Sequence, residues 1–210
     1  MPIKTFQATN FLVFKHRDIT RNSFHIDFCN GINIIIGENG VGKTSILRML
    51  YAACEWSNEK SDHNKTKKIH NYFGMSKPDD AKLRSYDSIE GYASYRVKTD
   101  QASFEWSLSH HDSFDLDEWL EQKLQSVFIP TTEMLSHAKG FLALNEKFDM
   151  PFDGTQVDII VNAELPPTRK ISDLSLRLLN KISEVIDGEV VFENDTFYIK
   201  KTNGNMVEFS

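Results

Sequence analysis

A glycine-rich octapeptide at residues 37–44 carries the residue types that bind phosphate groups. It reads Gly-Glu-Asn-Gly-Val-Gly-Lys-Thr and matches the pattern G-x-x-x-x-G-K-S/T at each fixed position. Glycines let successive backbone N–H groups curl around an anion where side chains would clash. Lys43 would place a positive charge on the β- and γ-phosphate oxygens, and the Thr44 hydroxyl would ligate Mg²⁺. The octapeptide therefore predicts a nucleotide phosphate site.

The chain on either side of this octapeptide is typical of the elements that must position such a site. Residues Ile32–Ile36 are almost all β-branched and apolar, which predicts a strand covered on both faces. From Lys43 onward apolar residues recur about every 3.6 positions, and the helix they predict would direct its positive end at the phosphates. Both flanks favour a phosphate site over a glycine turn with an accidental lysine. The apolar face of this helix would consist of Ile46, Leu47, Leu50, Tyr51 and Cys54.

Further segments predict a sheet-rich middle region. Apolar and polar residues alternate over residues 24–28, which indicates a half-buried strand. The same alternation over residues 89–97 and 104–108 predicts two antiparallel strands, and the apolar residues 127–129 predict another strand, which Pro130 ends. Residues 57–70 are polar and predict an exposed loop.

Helices and a terminal hairpin are predicted in the remaining chain. Residues 116–124 have the pattern of a short amphipathic helix. Pro166 begins a longer helix that Gly188 ends, and residues 190–209 predict a hairpin or meander. One stripe of the longer helix consists of Ile171, Leu174, Leu178, Ile182 and Val185.

The composition excludes several classes of protein. With 40% hydrophobic residues in 210, the chain can bury a core and is not a disordered tail. Its formal charge of −6 argues against a strongly basic nucleic-acid binder. Cys29 and Cys54 stand far apart and predict reduced, buried thiols. No signal peptide and no apolar run long enough to span a bilayer are visible, so we expect a cytoplasmic protein with no membrane contact.

Three segments near the octapeptide carry a family resemblance. They are Asn-Phe-Leu-Val-Phe at residues 10–14, Ile-Asp-Phe at 26–28, and Gly-Ile-Asn-Ile-Ile-Ile-Gly-Glu-Asn-Gly at 31–40. Together they resemble the ABC-type P-loop ATPase heads of SMC, RecF and OLD-like proteins. Residues 127–136, Val-Phe-Ile-Pro-Thr-Thr-Glu-Met-Leu-Ser, are similar to a segment of small bacterial AAA-type ATP-binding proteins of this group. The resemblance is specific over residues 6–54.

The resemblance implies ATP and Mg²⁺ as cofactors and a set of residues that hold them. It implies that Phe11–Lys15 lies near the base or ribose. It also places Glu133 where such heads carry a glutamine beside Mg²⁺ and the attacking water, although helix capping is an equal alternative for Glu133. Thr44 would be the Mg²⁺ ligand. The nucleotide-binding residues would be Gly37, Glu38, Asn39, Gly40, Val41, Gly42, Lys43, Thr44 and Ser45.

Two parts of the family pattern are missing. Hydrolysis needs a Walker B strand, about four apolar residues followed by a carboxylate. Residues Val190–Glu193 are short and turn-rich, and Val157–Val161 has its carboxylate, Asp158, at the wrong end, so neither fits well. No Ser-x-Gly-like signature segment is visible. We therefore leave the catalytic residues unassigned and expect the ATPase activity to belong to the intact protein.

These observations predict an α/β fold, an incomplete ABC-type head with a P-loop core and an attached antiparallel β subdomain. Residues 1–56 would form strands, P-loop and first helix, residues 57–126 a loop and the β subdomain, and residues 127–210 a strand, helices and a terminal hairpin. We expect nucleotide binding and hydrolysis to drive a conformational or dimerisation switch. A regulatory module that binds nucleotide without hydrolysis is the alternative, and a P-loop kinase is disfavoured.

The resemblance also implies partners. We expect a homodimer in the intact protein, which would bury ATP between two heads. An effector such as a nuclease, or DNA, would be the target of the switch. We further expect this chain alone to hydrolyse ATP very slowly, and to expose a sheet edge and apolar surface that later strands would cover.

Overall fold

The chain folds into two compact units, Met1–Phe128 and Ile129–Ser210. A computed structural model describes residues 3–15, 23–59, 69–75, 79–86, 92–108, 116–132, 134–138, 140–141, 144, 147, 153–165, 171–194 and 196–209. Both units combine helices with antiparallel strands, in agreement with the predicted α/β class. Within the described part, no helix is long and apolar enough to cross a membrane.

The first unit is built on a four-stranded antiparallel sheet with strand order β2-β1-β3-β4. Its strands are β1 Thr5–Thr9, β2 Phe24–Asp27, β3 Ser94–Lys98 and β4 Ser103–Ser107. The strand expected at residues 24–28 and the antiparallel pair expected after residue 89 are confirmed. Because β3 pairs with both β1 and β4, the N-terminal strands and the later pair share one sheet.

An aromatic core covers one face of this sheet. Apolar residues alternate along β1, β3 and β4 and are buried at every second position, as expected for a sheet with one covered face. The ring of Phe11 packs edge-on against Tyr95 and Trp106, with centroids 5.2 and 5.4 Å away. Such aromatic pairs stabilise a core beyond the area they bury.

Helix α1, Lys43–Trp56, packs into the same core. The predicted helix after Lys43 is confirmed, but its buried face differs from the prediction. Leu47 is half-exposed, whereas Met49, Ala52 and Ala53 are buried. Apolar spacing alone does not distinguish an alanine packed in the core from an alanine in solvent. The prediction therefore omitted Ala52 and Ala53 from the buried face of α1.

The C-terminal end of α1 is fixed to a short helix, α2 Leu116–Glu121. The Trp119 indole N–H donates to the Ala53 carbonyl at 2.8 Å. The Ser57 hydroxyl donates to the Cys54 carbonyl at 2.7 Å and accepts from the Leu124 N–H at 2.8 Å. These bonds satisfy carbonyls that a helix end otherwise leaves free.

The prediction of an exposed loop over residues 57–70 is wrong at both ends. Ser57 is buried where it makes the two hydrogen bonds just described. Ile69 and His70 are buried in a short helical segment at residues 69–72. The aromatic residues that share the helical spacing i, i+3, i+4 with Ile69 are Tyr72 and Phe73, which lie beyond the polar stretch that suggested a loop. Residues 60–68 lie outside the described part.

Two predicted strands are not formed. The segment Ile32–Ile36 is not assigned to any strand, and Ile32, Ile34 and Ile36 are 88%, 81% and 86% exposed. Only Ile35 packs against the core. Val127 is likewise exposed, and residues 127–129 form no strand. Among the described residues, neither segment has a neighbouring strand to supply backbone partners, so strand-like composition does not produce a strand.

The second unit contains two helices, α3 Gly154–Glu164 and α4 Asp173–Ile186. They are followed by a three-stranded antiparallel sheet of β5 Gly188–Glu193, β6 Thr196–Lys201 and β7 Met206–Glu208, in that order. The predicted terminal meander is therefore confirmed. A separate core cluster includes Met134, Ala138, Phe141, Ile160 and Phe197.

Helix α4 confirms the longer predicted helix but begins later than expected. Ser172 caps it, because its hydroxyl accepts from the Ser175 N–H at 3.1 Å, and residues 166–170 lie outside the described part. The helix ends at Asp187, which has the left-handed conformation with φ 48°, and Gly188 opens β5. None of its residues is buried.

The two cysteines are both free, but only one is buried. Cys54 lies in the α1 core, and burial raises the pKa of its thiol to about 11. The prediction of a buried Cys29 is wrong. Its segment lies at the surface, where the thiol donates to Asn33 Oδ1 at 3.3 Å.

Candidate functional site

The predicted phosphate-binding loop leads directly into the first turn of α1. Gly42 is the N-cap residue of this helix and has φ 98°, a left-handed conformation that glycine adopts without strain. Gly40 also has a positive φ, 84°. The two glycines therefore allow a turn that most other residues would resist, as the sequence pattern predicts.

The N-terminus of α1 is open to an anion. Gly42 provides no side-chain cap, and the first turn contains no acidic residue. The first N–H groups of a helix have no partner inside the helix, and the helix dipole adds positive potential at the same point. The backbone therefore offers several donors to a phosphate group, with no carboxylate in that turn to repel it.

The side chain of Lys43 is hydrogen-bonded to the first two residues of the octapeptide. Its ammonium group donates to the carbonyl oxygens of Gly37 and Glu38, each at 2.7 Å. These bonds join the first turn of α1 to the start of the octapeptide and keep the positive charge at the loop. Thr44 is exposed and leaves its side chain accessible to solvent. A cation beside free backbone donors is the arrangement that binds a polyphosphate.

The turn that follows β1 packs against this loop at Gly42. Val13 and Phe14 approach Gly42 so closely that an added β-carbon would lie 2.5 Å from Val13 Cγ2 and 2.7 Å from Phe14 Cζ. The Phe14 ring also packs against Phe24 with centroids 4.7 Å apart. The sequence analysis did not identify this support, although the Asn-Phe pair at residues 10–11 marks the turn.

This turn is itself held in an unusual backbone conformation. Asn10 and Leu12 both have φ 49°, which is rare for residues with side chains. The Leu12 N–H donates to the Leu83 carbonyl at 2.8 Å, and the Ser85 N–H donates to the Asn10 carbonyl at 2.7 Å. Strained backbone persists where surrounding bonds over-determine it and commonly marks a functional site.

The segment Phe11–Lys15 is divided between core and surface. Phe11 is fully buried among aromatic rings, so its side chain belongs to the core. Val13 is about half-exposed beside Gly42, and Lys15 is exposed. The exposed side chains of the segment are therefore those of Val13 and Lys15.

The described residues do not supply a Walker B strand. Residues Val157–Val161 belong to helix α3, and Val190–Glu193 belongs to β5 in the antiparallel sheet. Glu133 lies outside the described part. Among the described residues, no group of three or more His, Cys, Asp or Glu side chains is placed to hold a metal ion.

A cavity of about 920 Å³ lies in the first unit. Its lining includes Asn33, Ile35, Leu47 and Cys54 but none of residues 37–45. The open phosphate site is therefore separate from this cavity, as expected for a site built on an exposed helix terminus.

Comparison with known families identifies the group to which this arrangement belongs. A family model described as an AAA domain matches residues 7–160, which include the octapeptide, α1 and most of the four-stranded sheet. The chain belongs to this family. Its members are AAA-type P-loop ATPases found in SMC- and RecF-like proteins, so the resemblance derived from residues 6–54 is confirmed. A search of curated proteins gave no match.

Membership of the AAA domain family gives the loop a general function. Proteins of this family are P-loop ATPases that generally bind ATP together with Mg²⁺. The residues present fit such a ligand, because α1 is uncapped and Gly42 leaves no room for a side chain.

Proposed function

We propose that residues Gly37–Ser45 bind Mg-ATP and that this chain is the nucleotide-binding part of an ABC/SMC-like ATPase. The observation that carries the proposal is the position of Lys43, whose ammonium group lies at the uncapped start of α1. Backbone N–H groups of residues 39–45 would donate to the phosphate oxygens. Thr44 would contribute its hydroxyl to Mg²⁺.

Binding would exchange one set of Lys43 contacts for another. The two carbonyl oxygens that now accept from Lys43 neutralise little charge, whereas phosphate oxygens carry full negative charge. Both sets of bonds are charge-assisted because the ammonium is ionised, but only the phosphate oxygens add the attraction between opposite charges. Lys43 would therefore transfer to the phosphates and release its hold on Gly37 and Glu38, which changes the loop when nucleotide binds.

We further propose that binding and hydrolysis drive a conformational or dimerisation switch in the intact protein, with DNA or an effector such as a nuclease as its target. Family membership supports this proposal. Nucleotide-free and nucleotide-bound states would differ first at the loop and then along α1, which is fixed at its far end through Ala53.

The alternative is a regulatory module that binds nucleotide without hydrolysis. One observation favours it: both candidate Walker B segments in the described part belong to elements of the wrong kind, a helix and an antiparallel strand. Phosphoryl transfer requires a positioned water and Mg²⁺ held from two sides. The binding step is common to both alternatives, so it is the first to test.

Isothermal titration calorimetry with ATP and ADP, each with Mg²⁺, tests the binding step. Lys43→Ala removes a charge-assisted contact of about 1.5–3 kcal/mol, so affinity should fall roughly ten- to hundredfold. Lys82→Ala is the matched control, since Lys82 is exposed and only approaches Asp79 at 3.7 Å. Equal affinity of the Lys43→Ala and Lys82→Ala variants would refute the phosphate site.

A further inference from the structure

Val13 contacts the phosphate loop from between two phenylalanines that are anchored in the core. Phe11 and Phe14 are buried, and the Phe14 N–H donates to the Phe11 carbonyl at 2.9 Å. Val13 itself is 47% exposed, and its Cγ2 atom lies 2.5 Å from the position of a β-carbon on Gly42. A half-exposed valine buries little apolar area, so its contact with Gly42 affects the shape of the loop more than the free energy of folding.

The turn that carries Val13 is fixed by other parts of the first unit. The segment Leu83–Ser85 forms two backbone hydrogen bonds with this turn, of 2.7 and 2.8 Å. The Phe14 ring packs edge-on against Phe6 and beside Phe24, with centroids 6.4 and 4.7 Å away. The turn therefore presents a fixed surface to Gly42 and does not depend on the loop for its own conformation.

Gly42 is the residue whose freedom this surface limits. Its φ is 98°, and its carbonyl accepts from the Ile46 N–H at 3.0 Å, so the loop becomes helix α1 at this residue. A free glycine adopts positive and negative φ about equally and loses more conformational entropy on ordering than any other residue. Val13 and Phe14 fill the space on one side of Gly42. Part of its freedom is thus lost before a ligand binds, and such preorganisation lowers the entropy cost of binding.

The conformation of Gly42 acts on the phosphate end of a nucleotide. The peptide planes on either side of Gly42 turn with its φ and ψ, and one of them carries the N–H group of Lys43. The first N–H groups of α1 are the proposed phosphate donors. Their directions depend on Gly42, and the phosphate groups they would bind are common to all nucleoside triphosphates. A change at Gly42 should therefore affect every such ligand by the same factor.

We propose that Val13 is a positioning residue of the phosphate loop, which acts through Gly42 and determines affinity for the triphosphate group independently of the base. The inference rests on the proposed function, since it concerns the same site. A direct contact between Val13 and a base or ribose is the competing role. That role requires an effect that depends on the base, so the two roles can be separated.

Isothermal titration calorimetry with Mg²⁺ and either ATP or inorganic tripolyphosphate separates them. Val13→Ala removes the methyl groups beside Gly42 and should weaken binding of both ligands equally, roughly three- to tenfold. Val13→Thr keeps a branched side chain of the same size and should bind like the parent chain. The matched control is Val207→Ala, because Val207 is also 47% exposed but lies in β7 of the second unit.

Two results of this titration would overturn the positioning role. One is a loss in Val13→Ala with ATP but not with tripolyphosphate, which would indicate a contact with the base or ribose. The other is a Val13→Thr variant as impaired as Val13→Ala, which would show that the shape of the side chain does not matter. Urea denaturation verifies that each variant remains folded.

Nitrogen-15 relaxation of the chain without nucleotide tests the same role in the absence of any ligand. The order parameter of the Gly42 N–H should fall from about 0.85, typical of rigid backbone, towards about 0.6 in Val13→Ala. It should stay unchanged in Val13→Thr and in Val207→Ala. An unchanged order parameter in Val13→Ala would overturn the proposal.

The positioning role and the nucleotide site fail in different ways. A parent chain that binds neither ATP nor tripolyphosphate would refute the nucleotide site and, with it, the positioning role. A parent chain that binds both ligands, and loses affinity in Lys43→Ala but not in Val13→Ala, would leave the nucleotide site intact and refute the positioning role alone.

Discussion

The side chain of Val13 occupies the space that a β-carbon on Gly42 would fill, with its Cγ2 atom 2.5 Å from that position. This contact joins the turn after β1 to the first turn of α1. The shape of the loop therefore depends on the N-terminal turn as well as on the glycines of the octapeptide. Residues far apart in sequence hold the candidate phosphate site in place.

Gly42→Ala should destabilise the protein more than Gly40→Ala. Both substitutions place alanine at a positive φ, which costs about 1–2 kcal/mol. Only Gly42→Ala also forces Val13 and Phe14 to move, so its total cost should reach about 2–4 kcal/mol. Urea denaturation measures both. Equal losses would show that the contact with Val13 is not close enough to matter.

Thr44→Ala should remove the Mg²⁺ dependence of nucleotide binding. The Thr44 hydroxyl is the proposed Mg²⁺ ligand, so ATP affinity without Mg²⁺ should stay the same, while the gain on adding Mg²⁺ should shrink roughly tenfold or more. Thr44→Ser, which keeps the hydroxyl, should behave like the parent chain. Magnesium titrations at a fixed ATP concentration provide the measurement, and a serine variant as impaired as the alanine variant would contradict the assignment.

Turnover of ATP by this chain alone should be very slow. The described residues supply Lys43 and Thr44 but place both Walker B candidates in unsuitable elements. Without a carboxylate to orient water and complete the Mg²⁺ site, positioning and charge stabilisation are both incomplete. Phosphate release over hours, with Lys43→Ala as background, provides the measurement. Rapid turnover that depends on Lys43 would mean that the carboxylate had been missed.

Ile34→Ala should leave stability almost unchanged, whereas Ile46→Ala should not. Ile34 is 81% exposed and loses little on truncation, within about 0.5 kcal/mol. Ile46 is 3% exposed in the α1 core, so its truncation should cost about 2–5 kcal/mol. Chemical denaturation compares the two. A large loss for Ile34→Ala would indicate that residues 32–36 form the strand that their composition suggests.

Stability should fall as the pH rises from about 9 to 11. Burial raises the pKa of Cys54 from 9.0 to about 11, and burial also raises the pKa of Tyr95. Between those values the unfolded chain loses its thiol proton while the folded chain keeps it, so alkaline pH favours unfolding. The contribution of Cys54 is about 3 kcal/mol at most, and it is fully present below pH 9.

Denaturation midpoints at several pH values provide this test. In Cys54→Ala the thiol is absent, so the midpoint should fall less steeply between pH 9 and 11, and the remaining slope should come from groups such as Tyr95. Cys29→Ser is the matched control, because Cys29 is exposed. Identical slopes in the Cys54→Ala variant and the parent chain would contradict the prediction.

Sequence reasoning succeeded where the determinants are local. The turn at the octapeptide could be predicted from its glycines, and helix α1 from the spacing of its apolar residues. Both signals lie within about twenty residues of chain. The terminal meander follows from turn residues such as Asn203 and Gly204 between apolar runs. Family membership could likewise be derived from residues 6–54, because the loop and its flanks carry the family pattern.

Sequence reasoning failed where contacts with distant parts of the chain decide whether a segment becomes a strand. Ile32–Ile36 has the composition of a buried strand, but a strand requires partners, and the described structure provides none beside it. Helix α3 was missed for the opposite reason. Four of the five residues Val157–Val161 are β-branched and apolar, as in a strand. The Asp153 side chain nevertheless accepts from the Thr155 N–H at 3.0 Å and begins a helix. That aspartate was the available signal.

The hydrogen bond between Trp119 and the Ala53 carbonyl links an intrinsic fluorophore to helix α1. Indole emission responds to changes in burial and hydrogen bonding, and Trp119 is fully buried with its N–H bonded to the far end of α1. A helix of fourteen residues transmits a shift at one end to the other, about 21 Å away. We therefore expect a shift of α1 on nucleotide binding to change the intrinsic fluorescence, to which Trp56 and Trp106 also contribute.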